Sequence, residues 1–63
     1  MVHVIEYFKE GRQIGTTPWP GSLEVTIKVA RAGCKRQGAD FVRVVDVSGG
    51  NAEVWSEKCG TER

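Results

Sequence analysis

The stretch Ser22–Gln37, SLEVTIKVARAGCKRQ, decides the fold. Ser22 is a good helix N-cap, and Glu24 places an acid in the first turn, where the helix dipole favours it. Gly38 follows as a C-cap, with Lys35 and Arg36 in the last turn. Stepping about 100° per residue puts Leu23, Ile27, Ala30 and Cys34 on one stripe. Val25, Val29 and Ala32 fall on nearly the opposite side. Thr26, Gly33 and Gln37 lie on one flank between the stripes, and Glu24, Lys28, Arg31 and Lys35 on the other. The charged arc is narrow, and the apolar-plus-small arc covers more than half of the circumference. A surface helix on a small domain ordinarily has the reverse proportions. Gly33 in mid-helix costs about 1 kcal/mol relative to Ala, which points to a close backbone approach.

On either side of this helix lies a hairpin pattern. Val2–Phe8 (VHVIEYF) has the β-branched and aromatic content of a strand, and neither of its faces is wholly polar. Lys9–Arg12 is the turn, with Gly11 able to supply a positive φ. Gln13–Thr17 is the return strand, weakened by Gly15, and Thr17–Gly21 is punctuation in which Pro18 and Pro20 hold Trp19 in a stiff link. After the helix, Phe41–Val47 (FVRVVDV) is the strongest strand. Ser48–Asn51 is a turn, beside which Asp46 is expected to bond local backbone N–H groups. Ala52–Glu57 is the last strand. Residues 1–57 therefore read as a single ββαββ domain of the α+β class, and 58–63 as a flexible polar C-terminal tail.

At 63 residues a lone hydrophobic core is marginal, and such chains ordinarily need a disulfide, a metal or a partner subunit. The two cysteines, Cys34 and Cys59, and the single histidine, His3, do not make a zinc set, so no metal and no cofactor are expected. With Cys34 in the helix and Cys59 in the tail, a disulfide is disfavoured. No charged-then-apolar leader follows Met1 and no apolar run is long enough to span a membrane, so a reducing cytoplasm with free thiols is the expectation. Self-association is then the remaining source of stability. Both faces of the main strands carry large apolar residues, where a solvated face would alternate with polar ones. Val25, Val29, Ala32 and Gly33 are the dimer-interface candidates, in a simple or hairpin-swapped dimer. The plainer alternative is that Val25 and Val29 are scattered exposed apolar residues, which are common.

The formal net charge of +1 makes no global case for nucleic acid or membrane. Lys28, Arg31, Lys35 and Arg36 form a basic stripe that admits nucleic-acid contact, although a solvated helix face is the usual reason for such charges. His3 lacks a visible orienting acid and nucleophile, even with Glu6 and Cys34 considered, so no catalytic set emerges. Asp40, Asp46 and Glu53 are a conceivable acid cluster. Cys34 or Cys59 would serve a thiol-based sensor or enzyme only if accessible, and a buried, inert Cys34 is the plainer reading. Gly49-Gly50 is not a phosphate loop, because no helix or Gly-Lys-Ser/Thr follows. Trp19 and Trp55 more often cap a small core than mark a ligand site.

The series Tyr7-x-x-x-Gly11-x-x-Ile14-Gly15, Trp19-x-Gly21-x-Leu23-Glu24, Ala30, Gly38-Ala39-Asp40, Val44-x-Asp46 and Trp55 spans nearly the whole chain. It resembles a group of short, uncharacterised bacterial proteins of β-β-α-β-β order. The resemblance implies small homodimers, with exchanged hairpins, and brings no activity or catalytic residue. The functional expectation is a non-enzymatic cytoplasmic interaction or structural module.

Overall fold

A computed structural model describes residues 2–59. Its elements are β1 (Val2–Lys9), β2 (Arg12–Pro20), α1 (Leu23–Gln37), β3 (Phe41–Asp46) and β4 (Ala52–Lys58). A short 3-10 turn, Val47–Gly49, joins β3 to β4. The strands form one open antiparallel sheet in the order β2-β1-β3-β4, with α1 across one face. This is the expected α+β ββαββ arrangement. The 15 helical residues rise roughly 22 Å, close to the length of β1, so one helix returns the chain to start β3 beside β1.

Local signals set the boundaries. Glu10 and Gly11 both take positive φ, 52° and 79°, as a two-residue hairpin loop of the favoured twist requires. The Glu10 N–H donates to Asp40 Oδ2 at 2.9 Å, which ties this turn to the start of β3. Ser22 Oγ accepts from the Val25 N–H at 3.3 Å, and Gly38 takes the left-handed C-cap conformation. Asp46 Oδ1 accepts from the Ser48 N–H at 3.0 Å, the local bond expected of it. That bond also ends β3 one residue before the expected limit at Val47.

β2 departs further from expectation. It runs through Pro18, Trp19 and Pro20 instead of ending at Thr17. The reason is its place at the sheet edge, where a proline's missing donor faces outward and costs no ladder bond. Trp19 is therefore a strand residue opposite His3.

The core lies between α1 and the two central strands. Ile5 and Tyr7 of β1 pair with Val44 and Val42 of β3, and all four are buried. From the helix come Thr26, Ala30 and Cys34, each fully buried. Thr26 is the unexpected member, since Leu23 and Ile27 of the proposed stripe are only half-buried. Its hydroxyl donates to the Ser22 carbonyl at 2.8 Å, which satisfies the polar atom inside the helix and leaves the methyl for the core.

Gly33 is explained within the chain. A Cβ there would overlap the Tyr7 hydroxyl and come within 2.8 Å of Cζ. The phenol of β1 lies against bare helix backbone, so Gly33 marks the seat of α1 on the sheet.

The open face is also better satisfied than its composition suggested. Arg43 pairs with Glu6 and lies 3.8 Å from Glu53, with its guanidinium 5.5 Å from the Phe8 ring centroid. Phe8 in turn packs on Phe41 at 5.8 Å between centroids. A charged band thus crosses between the Phe8–Phe41 pair and the opposed Val4 and Val45.

The expectation of two free thiols is overturned. Cys34 and Cys59 are joined in a disulfide, with Cα atoms 6.3 Å apart. Cys59 is not in a loose tail. Lys58 pairs with Phe41 in β4, and the Cys59 N–H donates to the Asp40 carbonyl at 3.0 Å. This extension of β4 carries Cys59 to the last turn of α1. Of the expected tail, residues 60–63 lie outside the described residues.

Two stability outcomes are expected. Gly33→Ala costs about 1–3 kcal/mol through overpacking, partly offset by about 1 kcal/mol of helix propensity. In a Tyr7→Phe background the cost is smaller, because the nearest clashing atom is gone; urea midpoints of the four proteins measure this coupling. Reduction of the disulfide, which spans 25 residues, removes about 3.5 kcal/mol of loop-closure stabilisation. Urea unfolding with and without reductant reads that difference.

Candidate functional site

The helix packs mainly over β1 and β3, and the helix-side residues of β2, Gly15, Thr17 and Trp19, are only partly buried. The result is a groove of about 370 Å³ between α1 and β2. Its helix wall is Val29, Ala32, Gly33 and Arg36, and its sheet wall is Thr17 and Trp19, with Tyr7 between them. Gln37 closes one end, its side-chain oxygen lying 2.9 Å from where a Cβ of Gly15 would stand. Val25, one helical turn before Val29, is 48% exposed.

Three of the four interface candidates, Val29, Ala32 and Gly33, therefore line one groove, with Val25 one turn farther along the stripe. Gly33 plays a different part from its companions, because its bare backbone already receives Tyr7. Tyr7, Thr17, Trp19 and Gln37 are the groove residues that sequence reasoning did not assign to a site. The signal for Tyr7 was present: it alternates with Ile5 on one face of β1, opposite a mid-helix glycine with no other explanation.

The other flank of α1 is already occupied. Arg31 Nε donates to Glu57 Oε1 at 3.0 Å, and its guanidinium lies 5.7 Å from the Trp55 ring centroid. Both partners of this ion pair are substantially exposed, so its electrostatic contribution is small. It lies across the gap between α1 and β4, beside the disulfide that joins the same two elements. The basic stripe is divided accordingly. Arg31 is engaged with β4, Arg36 belongs to the groove, and Lys28 and Lys35 remain exposed.

His3 is 5% exposed, beside a shallow cleft of about 730 Å³ shared with Gly21, Leu23, Asp46 and Val54. Its Nδ1 lies 3.2 Å from the Gly21 carbonyl oxygen. A carbonyl only accepts, so Nδ1 carries the proton and donates it. The histidine thereby fastens β1 to the loop before α1. The two partners considered for it, Glu6 and Cys34, lie elsewhere. Glu6 pairs with Arg43 on the opposite sheet face, and Cys34 is in the disulfide at the far end of α1.

The conceivable acid cluster is likewise dispersed. Asp40 receives the Glu10 N–H, Asp46 caps the 3-10 turn, and Glu53 lies near Arg43. The bonds from Ser48 hold the Asp46 carboxyl below the ordinary carboxylate value. Among the described residues, no group of three His, Cys, Asp or Glu side chains is placed to hold a metal ion. Among them, too, no helix is long and apolar enough to cross a membrane.

No family model, curated protein or solved structure matches the chain. The functional reading therefore rests on the geometry of the groove and its flanks.

Burial pushes the Tyr7 phenol above its ordinary value of 10.0, and the nearby Arg36 charge pulls it partly back. The folded state thus favours the protonated phenol. Its contribution to stability is intact below pH 10.0 and is lost as pH rises through the higher folded-state value. Alkaline unfolding curves of the wild type are expected to show this loss, and those of Tyr7→Phe to lack it.

Proposed function

We propose that the chain is a small, non-enzymatic interaction module that self-associates through the α1–β2 groove. The supporting observation is the unequal side-chain attachment on the two flanks of the helix. The β4 side of α1 is closed by Arg31, Trp55 and Glu57, while the β2 side presents Val25, Val29, Ala32 and Trp19. The stripe Val25–Val29–Ala32 follows i, i+4, i+7 spacing, and its small Ala32 suits the close approach of a second helix. In a two-fold dimer the same stripe meets itself, and each Trp19 flanks the contact.

The disulfide removes one argument for association, since the chain has a covalent staple of its own. The groove supplies a separate one. A homodimer, an exchange of hairpins through the Pro18–Gly21 junction, a bacterial source and a cytoplasmic location are finer parts of this proposal. They rest on the resemblance and on the composition.

Light scattering over a wide concentration range tests the proposal. A dimer is expected for the wild type, and a folded monomer for Val25→Glu, which places a charge on the exposed end of the stripe. Val29→Glu is expected to dissociate the dimer with greater loss of stability, because Val29 also packs against the core. A wild-type monomer at every concentration would contradict the proposal. Titration with DNA and RNA at two salt concentrations examines the other reading, contact through Lys28 and Lys35. Salt-sensitive binding that Lys28→Ala and Lys35→Ala abolish would favour it.

A further inference from the structure

We propose that the Cys34–Cys59 disulfide is a thiol-exchange site for small-molecule thiols. In it Cys59 is the sulfur that is attacked and carries the adduct, and Cys34 is the sulfur released. This inference is independent of self-association.

The two cysteines are held very differently. Cys34 is fully buried under α1, within the cluster of Ile5, Tyr7, Ala30, Val42 and Val44. Cys59 is only part-buried, at the end of the edge strand β4. A thiolate approaching from solvent reaches Cys59 first and finds Cys34 shielded by the core. Exchange requires attack along the sulfur–sulfur axis, so accessibility selects both the attacked atom and the leaving atom.

The surroundings accept both redox states. The Ala39 carbonyl oxygen lies 3.6 Å from Cys34 Sγ and 3.8 Å from Cys59 Sγ. Once the bond is broken, each thiol S–H has this acceptor within reach, and the carbonyl has two lone pairs to offer. The backbone also holds Cys59 independently of the sulfur bond. Its N–H donates to the Asp40 carbonyl, the Ala39 N–H donates to the Cys34 carbonyl, and Asp40 Oδ2 accepts from Glu10. The released sulfurs therefore stay close enough to recombine. Opening the bond removes a chain constraint while the Cys59 N–H still donates to the Asp40 carbonyl.

The chemistry balances with a thiol of the glutathione class. Its thiolate attacks Cys59 Sγ, forming a new S–S bond while the Cys34–Cys59 bond breaks. Cys34 leaves with the electron pair and takes a proton. A second thiolate then attacks the adduct sulfur, releasing the small-molecule disulfide and a Cys59 thiol. The protein disulfide gains two electrons, and two small thiols are oxidised. The reverse sequence, driven by the small-molecule disulfide, restores the bond.

The full-length wild-type protein, equilibrated with mixtures of reduced and oxidised glutathione, acid-quenched and peptide-mapped by mass spectrometry, tests the proposal. The glutathione adduct is expected on Cys59. Cys34→Ser is expected to accumulate that adduct, since no internal thiol can displace it. In Cys59→Ser, alkylation of Cys34 should be on the order of a hundredfold slower in the native protein than in denaturant, because it must await opening of the core. Adduct on Cys34, or an equal distribution between the two, overturns the proposal. So does a disulfide that neither exchanges nor is reduced across the glutathione series. Should either variant fail to fold, the wild-type map alone decides.

Discussion

The contact between the Tyr7 phenol and the bare backbone of Gly33 is the constraint on which the rest of the structure depends. It fixes the distance and rotation of α1 on the sheet. With that rotation set, Thr26, Ala30 and Cys34 point into the core, and the two remaining flanks of the helix face opposite edge strands. A side chain at position 33 would lift the helix from β1 and loosen the contacts that Ile5, Val42 and Val44 make beneath it. A domain with so small a core has little other surface with which to compensate.

From this seat follows an asymmetry. Toward β4, the helix is held by Arg31 against Trp55 and Glu57, and by the disulfide from Cys34 to Cys59. Toward β2, among the described residues, Gln37 reaches Gly15 and Trp19 and Val29 pack against the core, with no ion pair or covalent bridge. The two tryptophans occupy comparable places on the two edge strands, yet Trp55 has a cation over its ring and Trp19 borders an open groove. Covalent and polar attachment on one side and an apolar opening on the other thus flank a helix seated on the two central strands.

The order of elements was legible in the sequence because its signals are local. Ser22, Gly38 and Gly11 act through a few neighbouring backbone groups, and each cap or turn lies where those residues allow. The path of β2 through Pro18 and Pro20 was not legible, since a proline ends an inner strand but not an outer one, and strand order is a tertiary property. Cys59 was misplaced for a related reason. Its position depends on the pairing of Lys58 with Phe41, and that register appears only when the sheet is assembled. Thr26 entered the core because its hydroxyl is satisfied by Ser22, a possibility that helical spacing alone does not weigh. As for the candidate site, the helix pattern located Val29 and Ala32 on one stripe, but it could not show that Trp19 and Thr17 face them. Gly33 was singled out correctly as a place of close approach, although the approaching group is Tyr7 of the same chain.

In the proposed dimer a second copy covers the β2 side of α1, where the groove opens. The two indole N–H groups report on the two sides separately, and a dilution series followed by nuclear magnetic resonance reads them in one experiment. The expected result is a Trp19 indole signal that moves with protein concentration beside a Trp55 signal that stays fixed. Movement of the Trp55 signal alone, or no movement of either across the association range, would contradict the account.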